Sequence, residues 1–476
     1  MKKIYRVPDE YNFRLHHIRP RFKNDVENVL FFMASEISKI TPAPEEDFAR
    51  ELNKAIRRYP GNASKAEKTI DNWRTEITAL FGLIEYDGEI ARPGRMANLL
   101  AESQDLIEFF RYFLFYFQYP GGHLKPHESL EFIEAGVRFK PAKYLLQVLL
   151  DGKKILGENA KFGITKAEAT HCIFNDLRVT RDGRPANKTA ELIISNRNDK
   201  AEYPQGGDIV RYAGDILDYM VLADLVRLRP NYKYYLNPVH FETIQAFVGN
   251  NDYFEPYESL YKHGHPLLAN VTASKEDWFH YVNNKLDSSI FEADAFSIIE
   301  EAGETVDSEK ESFFIGEVLK KIRDLKESES INTKEVGDVG EAIVIEHEKN
   351  RMMRLDRESL LHLIKKIPES YAMGYDINSF EGIGEIRRYI EVKTSISRGK
   401  LAAQFFHMTP SEWSSAETLK DTYFVYRLMI SAQGISLFLI QDPVGKYKSD
   451  RLSMAPRDGA DIHYTERSGN WEELLV

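Results

Sequence analysis

Cysteine is almost missing: Cys172 is the only one in 476 residues. No disulfide can form within the chain, and no cysteine-based zinc site can be built. That fits a reducing cytosol. Cys172 lies between His171 and Ile173 and reads as a buried helix residue rather than a nucleophile. Long hydrophobic runs are missing too. No stretch approaches the roughly 18 apolar residues of a membrane span. The opening Met1-Lys2-Lys3-Ile4-Tyr5-Arg6 is not followed by the apolar segment of a signal peptide. A cytoplasmic protein without a membrane partner is therefore expected. There is no GxxxxGK[ST] phosphate loop, hence no sign of ATP-driven translocation, and no HExxH zinc motif. Gly382-Ile383-Gly384 is too short for a dinucleotide fingerprint, which also needs a helix after the glycines. Positive charge is not in excess either. The net charge of −11 argues, taken alone, against nucleic acid as a partner. Contact with nucleic acid needs only a local basic patch, however. Arg14, His16, His17, Arg19, Arg21 and Lys23 form one candidate, which reads equally well as a solvated loop.

What is present is ordinary globular composition, 43% hydrophobic and 29% charged. The length suggests about two to four domains. Ser64-Lys65-Ala66-Glu67 has the form of a capping box, with Ser64 as N-cap. Ala66, Ile70, Trp73, Ile77 and Leu80 follow at helical spacing, and Gly82 stops the helix. Leu83 to Tyr86, Asp87-Gly88 and Glu89 to Arg92 then read as a hairpin. Helix followed by a small hairpin is the order of a winged-helix unit. Lys65, Lys68, Asn72 and Arg74 or Thr75 lie on the opposite helix face, where a solvated surface competes with a DNA-contacting one.

A second stretch repeats the theme. Pro141 to Leu150 reads as a helix, and Thr165-Lys166-Ala167-Glu168 as a capping box opening another. A polar segment runs from Arg178 to Gly207. Asp208 is expected to cap a helix carrying Ile209, Tyr212, Ile216 and Met220. Leu225 to Arg229, Pro230-Asn231 and Tyr232 to Leu236 form a further hairpin. Residues 271 to 335 look helical, charged and connecting. The expected organisation is multidomain and mainly α in its N-terminal part. Winged-helix-like DNA-recognition domains span 1–130 and 131–270, a helical linker spans 271–334, and an α/β domain with a mixed central sheet spans 335–476.

The last region carries the chemistry. Val339-Gly340-Glu341 opens a helix through His347. Gly374 to Phe380 reads as a strand, Glu381 to Gly384 as a turn, and Ile386 to Thr394 as a second strand. Strand side chains alternate between faces. A hairpin can therefore set Asp376 beside Glu391, with Lys393 next to them. Two close carboxylates raise each other's pKa, and a hard cation relieves the repulsion. Mg²⁺ prefers such oxygen ligands and keeps several waters. A neighbouring lysine can position or deprotonate an attacking water and neutralise phosphate. Two acids and a lysine are the minimum set for hydrolysing a phosphodiester. Glu-x-Lys alone is a weak signal; the preceding Asp, the apolar strand and the Gly-Glu helix strengthen it.

Asp376 followed by Glu391-Val392-Lys393 resembles the PD-(D/E)XK nuclease superfamily. Gly374-Tyr375-Asp376-Ile377, Tyr389 to Thr394, Phe406 to Trp413 and Tyr423 to Arg427 look like its NOV C-terminal (Mrr-like) branch. The resemblance covers roughly residues 335–440. Tyr375 stands where the superfamily's name has proline, at a position that varies. The resemblance implies a restriction-endonuclease-like fold. It makes Asp376 and Glu391 metal ligands, assisted by the Val392 carbonyl, with Lys393 acting on the attacking water. Glu341 becomes the helix carboxylate near the metal. Gln404 and His407 are expected to be structural. Winged-helix-like modules ahead of such a domain resemble type II restriction enzymes of the shifted-cleavage kind.

The expectation is thus a sequence-specific, Mg²⁺-dependent endonuclease acting on double-stranded DNA, with Mn²⁺ able to substitute. It would act as a homodimer, at least transiently, and have a possible companion methyltransferase. Arg19, Arg21, Lys65, Lys68, Asn72 and Arg74 are its candidate DNA contacts. A modified-base-dependent or partner-triggered defence nuclease is the alternative. A non-catalytic DNA-binding protein with a nuclease-like domain is the alternative of another class.

Overall fold

The computed structural model describes residues 3–20, 22, 25–157, 160–262, 266–305, 309–327, 336–382, 385–399, 404–456 and 458–475. Arg21 and Lys23 of the basic segment lie outside them. The chain divides into two compact units, Met1–Leu100 with Ile107–Phe291, and Ala101–Leu106 with Glu292–Val476. Among the described residues no helix is long and apolar enough to cross a membrane.

The first unit is helical, with two small sheets. Helices Val26–Ser38, Glu45–Arg58 and Glu67–Thr75, the last extended by a wider turn over Glu76–Leu80, precede a hairpin of Ile84–Asp87 and Ile90–Pro93. The short strand Ala43–Pro44 pairs with the second hairpin strand, Ala43 opposite Ala91. Ile70, Trp73, Ile77 and Leu80 are buried, as their spacing predicts. Gly82 ends the helix at φ +63, its N–H donating to the Thr78 carbonyl. The hairpin forms with Asp87 paired to Ile90, so Gly88-Glu89 makes the turn, one residue later than expected. The capping box at Ser64 does not form. Ala66 is the N-cap, and the Glu67 carboxylate instead accepts from Arg57 and Asn53 of the neighbouring helix.

The same order recurs. Helix Pro141–Leu156 is followed by strand Gly163–Ile164, a group of helices, and the hairpin Val226–Leu228/Tyr234–Leu236. Again the lone strand pairs with the second hairpin strand, Ile164 opposite Tyr234. Here the capping box is real: Thr165 Oγ1 accepts the Glu168 N–H and Glu168 Oε2 accepts the Thr165 N–H. Asp208 is not a cap; Gly206 holds that position and Asp208 pairs with Arg211 at 2.9 Å. The polar segment after Arg178 contains a helix, Ala186–Asn198, with Ala186, Ala190 and Ile193 buried. Helices Leu268–Ala273 and Lys275–Val282 bury Val271 and Trp278 against Ile133, Phe254 and Tyr257.

The second unit is built on a mixed sheet. Its elements are α1 (Val336–Arg354), β1 (Lys365–Lys366), β2 (Ile377–Phe380), β3 (Arg387–Ser397), β4 (Phe405–Met408) and α2 (Pro410–Leu419). Then come β5 (Tyr423–Ser431), β6 (Gly434–Gln441), β7 (Leu452–Pro456), β8 (Ala460–Tyr464) and β9 (Asn470–Glu472). The six-stranded sheet runs β9-β6-β5-β3-β2-β1, and β4-β8-β7 forms a second, three-stranded sheet. Strand β5 lies parallel to β3; the other pairs of the large sheet are antiparallel. Every residue of β5 is buried, as befits a central strand covered on both faces. Tyr423, Val425, Phe438, Ile440, Phe406 and Ile462 join the two sheets in one core.

Candidate active site

The site is assembled on β2, β3, α1 and α2. Strands β2 and β3 pair with Ile377 opposite Ile390. One step further along this register sets Asp376 opposite Glu391, the juxtaposition that alternation predicts. The Asp376 N–H donates to the Ile390 carbonyl at 2.9 Å, and Asp376 Oδ2 accepts the Val392 N–H at 2.7 Å. The aspartate is thus fixed at both backbone and side chain.

Glycine explains the approach of α1. A Cβ at Gly340 would lie 1.9 Å from Thr394 Oγ1 and 2.9 Å from its Cβ. No larger residue allows the helix so near β3, and this approach carries Glu341 to the acidic strands. Lys366 of β1 lies 2.8 Å from Glu341 and donates to Asp338 at 2.7 Å.

Lys393 is sandwiched between two acids. Its Nζ is 2.7 Å from Glu391 Oε1 and 2.7 Å from Glu412 Oε2. Glu412 belongs to α2, where Thr409 and Glu412 make a reciprocal capping box. Sequence reasoning placed Glu412 inside a resembling motif but gave it no role. The spacing Thr-x-x-Glu could have announced the cap; its contact with Lys393 depends on the tertiary fold. Lys366 was missed for the same reason.

The electrostatics are those of crowded, buried acids. Burial pushes Glu391, only 4% exposed, well above the usual carboxylate range; Lys393 opposes this, while Asp376 and Glu412 add to it. Burial also raises Asp376, against the Val392 N–H and Lys393. Burial pushes Glu341 up to about 7 despite Lys366. Burial works against a charged Lys393, but Glu391 and Glu412 outweigh it and hold the ammonium above its usual range. Among the described residues, no three His, Cys, Asp or Glu side chains already converge as a ready-made metal cluster.

The remaining candidates are spread out. Gln404 is exposed, and His407 pairs with buried Asp461 at 2.7 Å. In the first unit Lys65 and Lys68 are exposed and Asn72 is half-buried. Arg74 donates to Asn53 Oδ1 at 3.0 Å and pairs with Asp71. Arg19 forks onto the buried carboxylate of Asp215 through Nε and Nη2. His17 is buried against Tyr119. The basic segment is therefore partly woven into the unit rather than spread as a surface patch.

A family described as the N-terminal part of the restriction endonuclease BpuJI matches residues 5–279, more than half of the chain. The chain belongs to that family. Beyond this BpuJI N-terminal region, residues 340–440 match the C-terminal family of the protein NO VEIN, in keeping with the resemblance seen in the sequence. The chain is also similar to a solved structure of the BpuJ1 endonuclease binding domain in complex with pyrene- and phenanthrene-modified DNA. The identity is 25% and the TM-score 0.50, over 58% of this chain and 99% of that one. No curated protein matches the chain. Apart from residues 101–106, the BpuJI family match thus falls in the first unit, and the acids and lysine described above lie in the second.

Proposed function

We propose that the chain is a Mg²⁺-dependent, restriction-type DNA endonuclease whose N-terminal modules read duplex DNA and whose C-terminal region hydrolyses its phosphodiester bonds. The observation that carries this reading is the clustering of Asp376, Glu391 and Lys393 on adjoining strands, with Glu341 on the helix packed against them. It occurs in a chain whose other part belongs to a restriction-endonuclease family.

The donor set fits a hard divalent cation. Asp376, Glu391 and the Val392 carbonyl offer oxygen only, and two acids raised by burial gain from a cation beside them. These three would hold it, with Glu341 nearby. A bound Mg²⁺ would supply Lewis acidity and lower the pKa of a coordinated water. Lys393 brings a permanent positive charge next to Glu391, able to orient a nucleophilic water and offset phosphate charge. The Val392 N–H keeps Asp376 aimed while the site works.

Recognition falls to residues 1–130 and 131–270. The support is the repeated order of helix, short strand, helices and hairpin, with the lone strand on the second hairpin strand each time, which is a winged-helix order. The DNA complex of the similar BpuJ1 domain points the same way. Lys65 and Lys68 are the exposed candidates for phosphate; Arg19 holds Asp215 and Arg74 holds Asp71 within the unit, and both would shape the surface. One such site cuts one strand, so cleaving a duplex calls for two copies.

The test is incubation of purified protein with mixed bacteriophage DNAs and Mg²⁺, beside the Asp376→Ala protein. Discrete fragments from wild type alone, with DNA binding kept in the variant, are expected. Full activity of Asp376→Ala refutes the site. Cleavage of modified DNA only would transfer the reading to a modified-base-dependent nuclease.

A further inference from the structure

Lys393 has two anionic partners at the same distance, 2.7 Å, and they differ in what else they must do. Glu391 sits on β3 opposite Asp376, where a divalent cation would need its carboxylate. Glu412 stands on α2, a different element from that strand pair, and its place is set independently of Lys393. Its Oε2, the atom that receives the ammonium, also accepts the Thr409 N–H at 3.1 Å, and its own N–H donates to Thr409 Oγ1 at 3.3 Å. A carboxylate in the first turn of a helix is further favoured by the helix dipole. The Lys393 side chain is 20% exposed, and an ammonium withdrawn that far from water is costly to leave without an anion. If Glu391 were its only partner, a cation binding at Glu391 would have to break the lysine's sole ion pair.

We propose that Glu412 is a positioning residue that keeps the Lys393 ammonium when Glu391 is given to the divalent cation, so that lysine and metal do not compete for one carboxylate. The inference rests on the metal-dependent nuclease reading. It assigns the helix after β4 a task in the site: anchoring the lysine from outside the pair of acids.

Mn²⁺ binding to the full-length protein, measured by titration calorimetry without DNA, tests it. Glu412→Gln is the informative variant because glutamine can still reach back to the Thr409 N–H, which preserves the cap. It is expected to weaken Mn²⁺ about tenfold or more, the order of effect of losing a partner that orients the groups around a metal. Lys393→Met should bind Mn²⁺ at least as tightly as wild type. In the Lys393→Met background the Glu412→Gln change should then have little effect. A loss of equal size with and without Lys393 would mean that Glu412 acts on the cation directly, and would overturn the proposal. So would unchanged affinity in the single variant. Wild type that binds no Mn²⁺, or binds it equally after Asp376→Ala, would overturn the metal-dependent reading itself, and the role of Glu412 with it.

Discussion

Replacing Gly340 by alanine probes the contact on which the placement of Glu341 depends. The new methyl would sit 1.9 Å from Thr394 Oγ1, 2.9 Å from Thr394 Cβ and 3.1 Å from Cγ2. Rotating the threonine moves Oγ1 and Cγ2 but leaves Cβ in place, so no rotamer removes the overlap and α1 must shift off β3. Such overpacking costs about 1–3 kcal/mol. In a unit of this size that lowers the melting temperature by roughly 2–12 °C. Thr394→Gly removes all three clashing atoms and should restore much of the lost packing in the double variant. Thermal unfolding followed by circular dichroism would report the stability, and Mn²⁺ titration the displacement of Glu341. The expected pattern is a destabilised Gly340→Ala protein with weakened Mn²⁺ binding, rescued in part by Thr394→Gly. A Gly340→Ala protein as stable as wild type would refute the close approach of helix and strand.

Two further perturbations address buried charge. Glu348 of α1 is fully buried and accepts from Arg351 Nε at 2.9 Å, Ser379 Oγ at 2.5 Å and Tyr426 Oη at 2.7 Å. Arg351→Met should cost about 1.5–3 kcal/mol in urea denaturation, because it removes charged donors from a buried carboxylate that keeps Arg388 Nη1 at 3.7 Å; Glu348→Gln in the same background should recover part of it. Lys140 donates to the Phe115 carbonyl at 3.0 Å and to Tyr281 Oη at 3.1 Å, and burial pushes its amine down from 10.5 to about 7. The unfolded chain keeps that proton up to about pH 10.5 and the folded chain only up to about 7, so this group adds stability as pH rises through that window. The stability of Lys140→Met relative to wild type should therefore fall between pH 7 and 10.5; a difference that does not change with pH would contradict the burial of an uncharged amine.

Local periodicity and tertiary partnership account for what the sequence does and does not disclose. Asp376, Glu391 and Lys393 could be set side by side from alternation alone, because the β2–β3 register follows from which faces must be buried. The hairpins at Asp87 and Pro230 were legible, but their turns were not placed: the first falls at Gly88-Glu89, and the second takes in Tyr232 at φ 58, which was expected in the strand. Capping was less so. Thr165 caps its helix, whereas at Ser64 the glutamate that should reach back is taken by Arg57, and Asp208 is taken by Arg211. Sequence shows which groups can cap, not which competitor folding will bring. Helix Ala186–Asn198 escaped notice because its buried stripe, Ala186, Thr189, Ala190, Ile193 and Asn196, is small or polar at every position but Ile193. The basic run near the N-terminus stayed open for a related reason: the acid that claims Arg19, Asp215, lies 196 residues away in sequence. Glu412 and Lys366 reach the acids only through the fold.

The unit that carries the acids is not one stretch of chain. Arg427 of β5 is completely buried, and its guanidinium donates to the Lys393 carbonyl at 2.8 Å, to Ser395 Oγ at 2.9 Å and to Gln104 Oε1 at 2.6 Å. Gln104 and Asp105 come from a short insertion in the middle of the first unit's sequence, where Asp105 also bridges to Ile396 and accepts the Ala293 N–H at 2.7 Å. A gene fragment beginning anywhere after Asp105 would deprive Arg427 of the Gln104 acceptor. A single crossover between the two matched regions would exchange Gln104 and Asp105 along with the first unit.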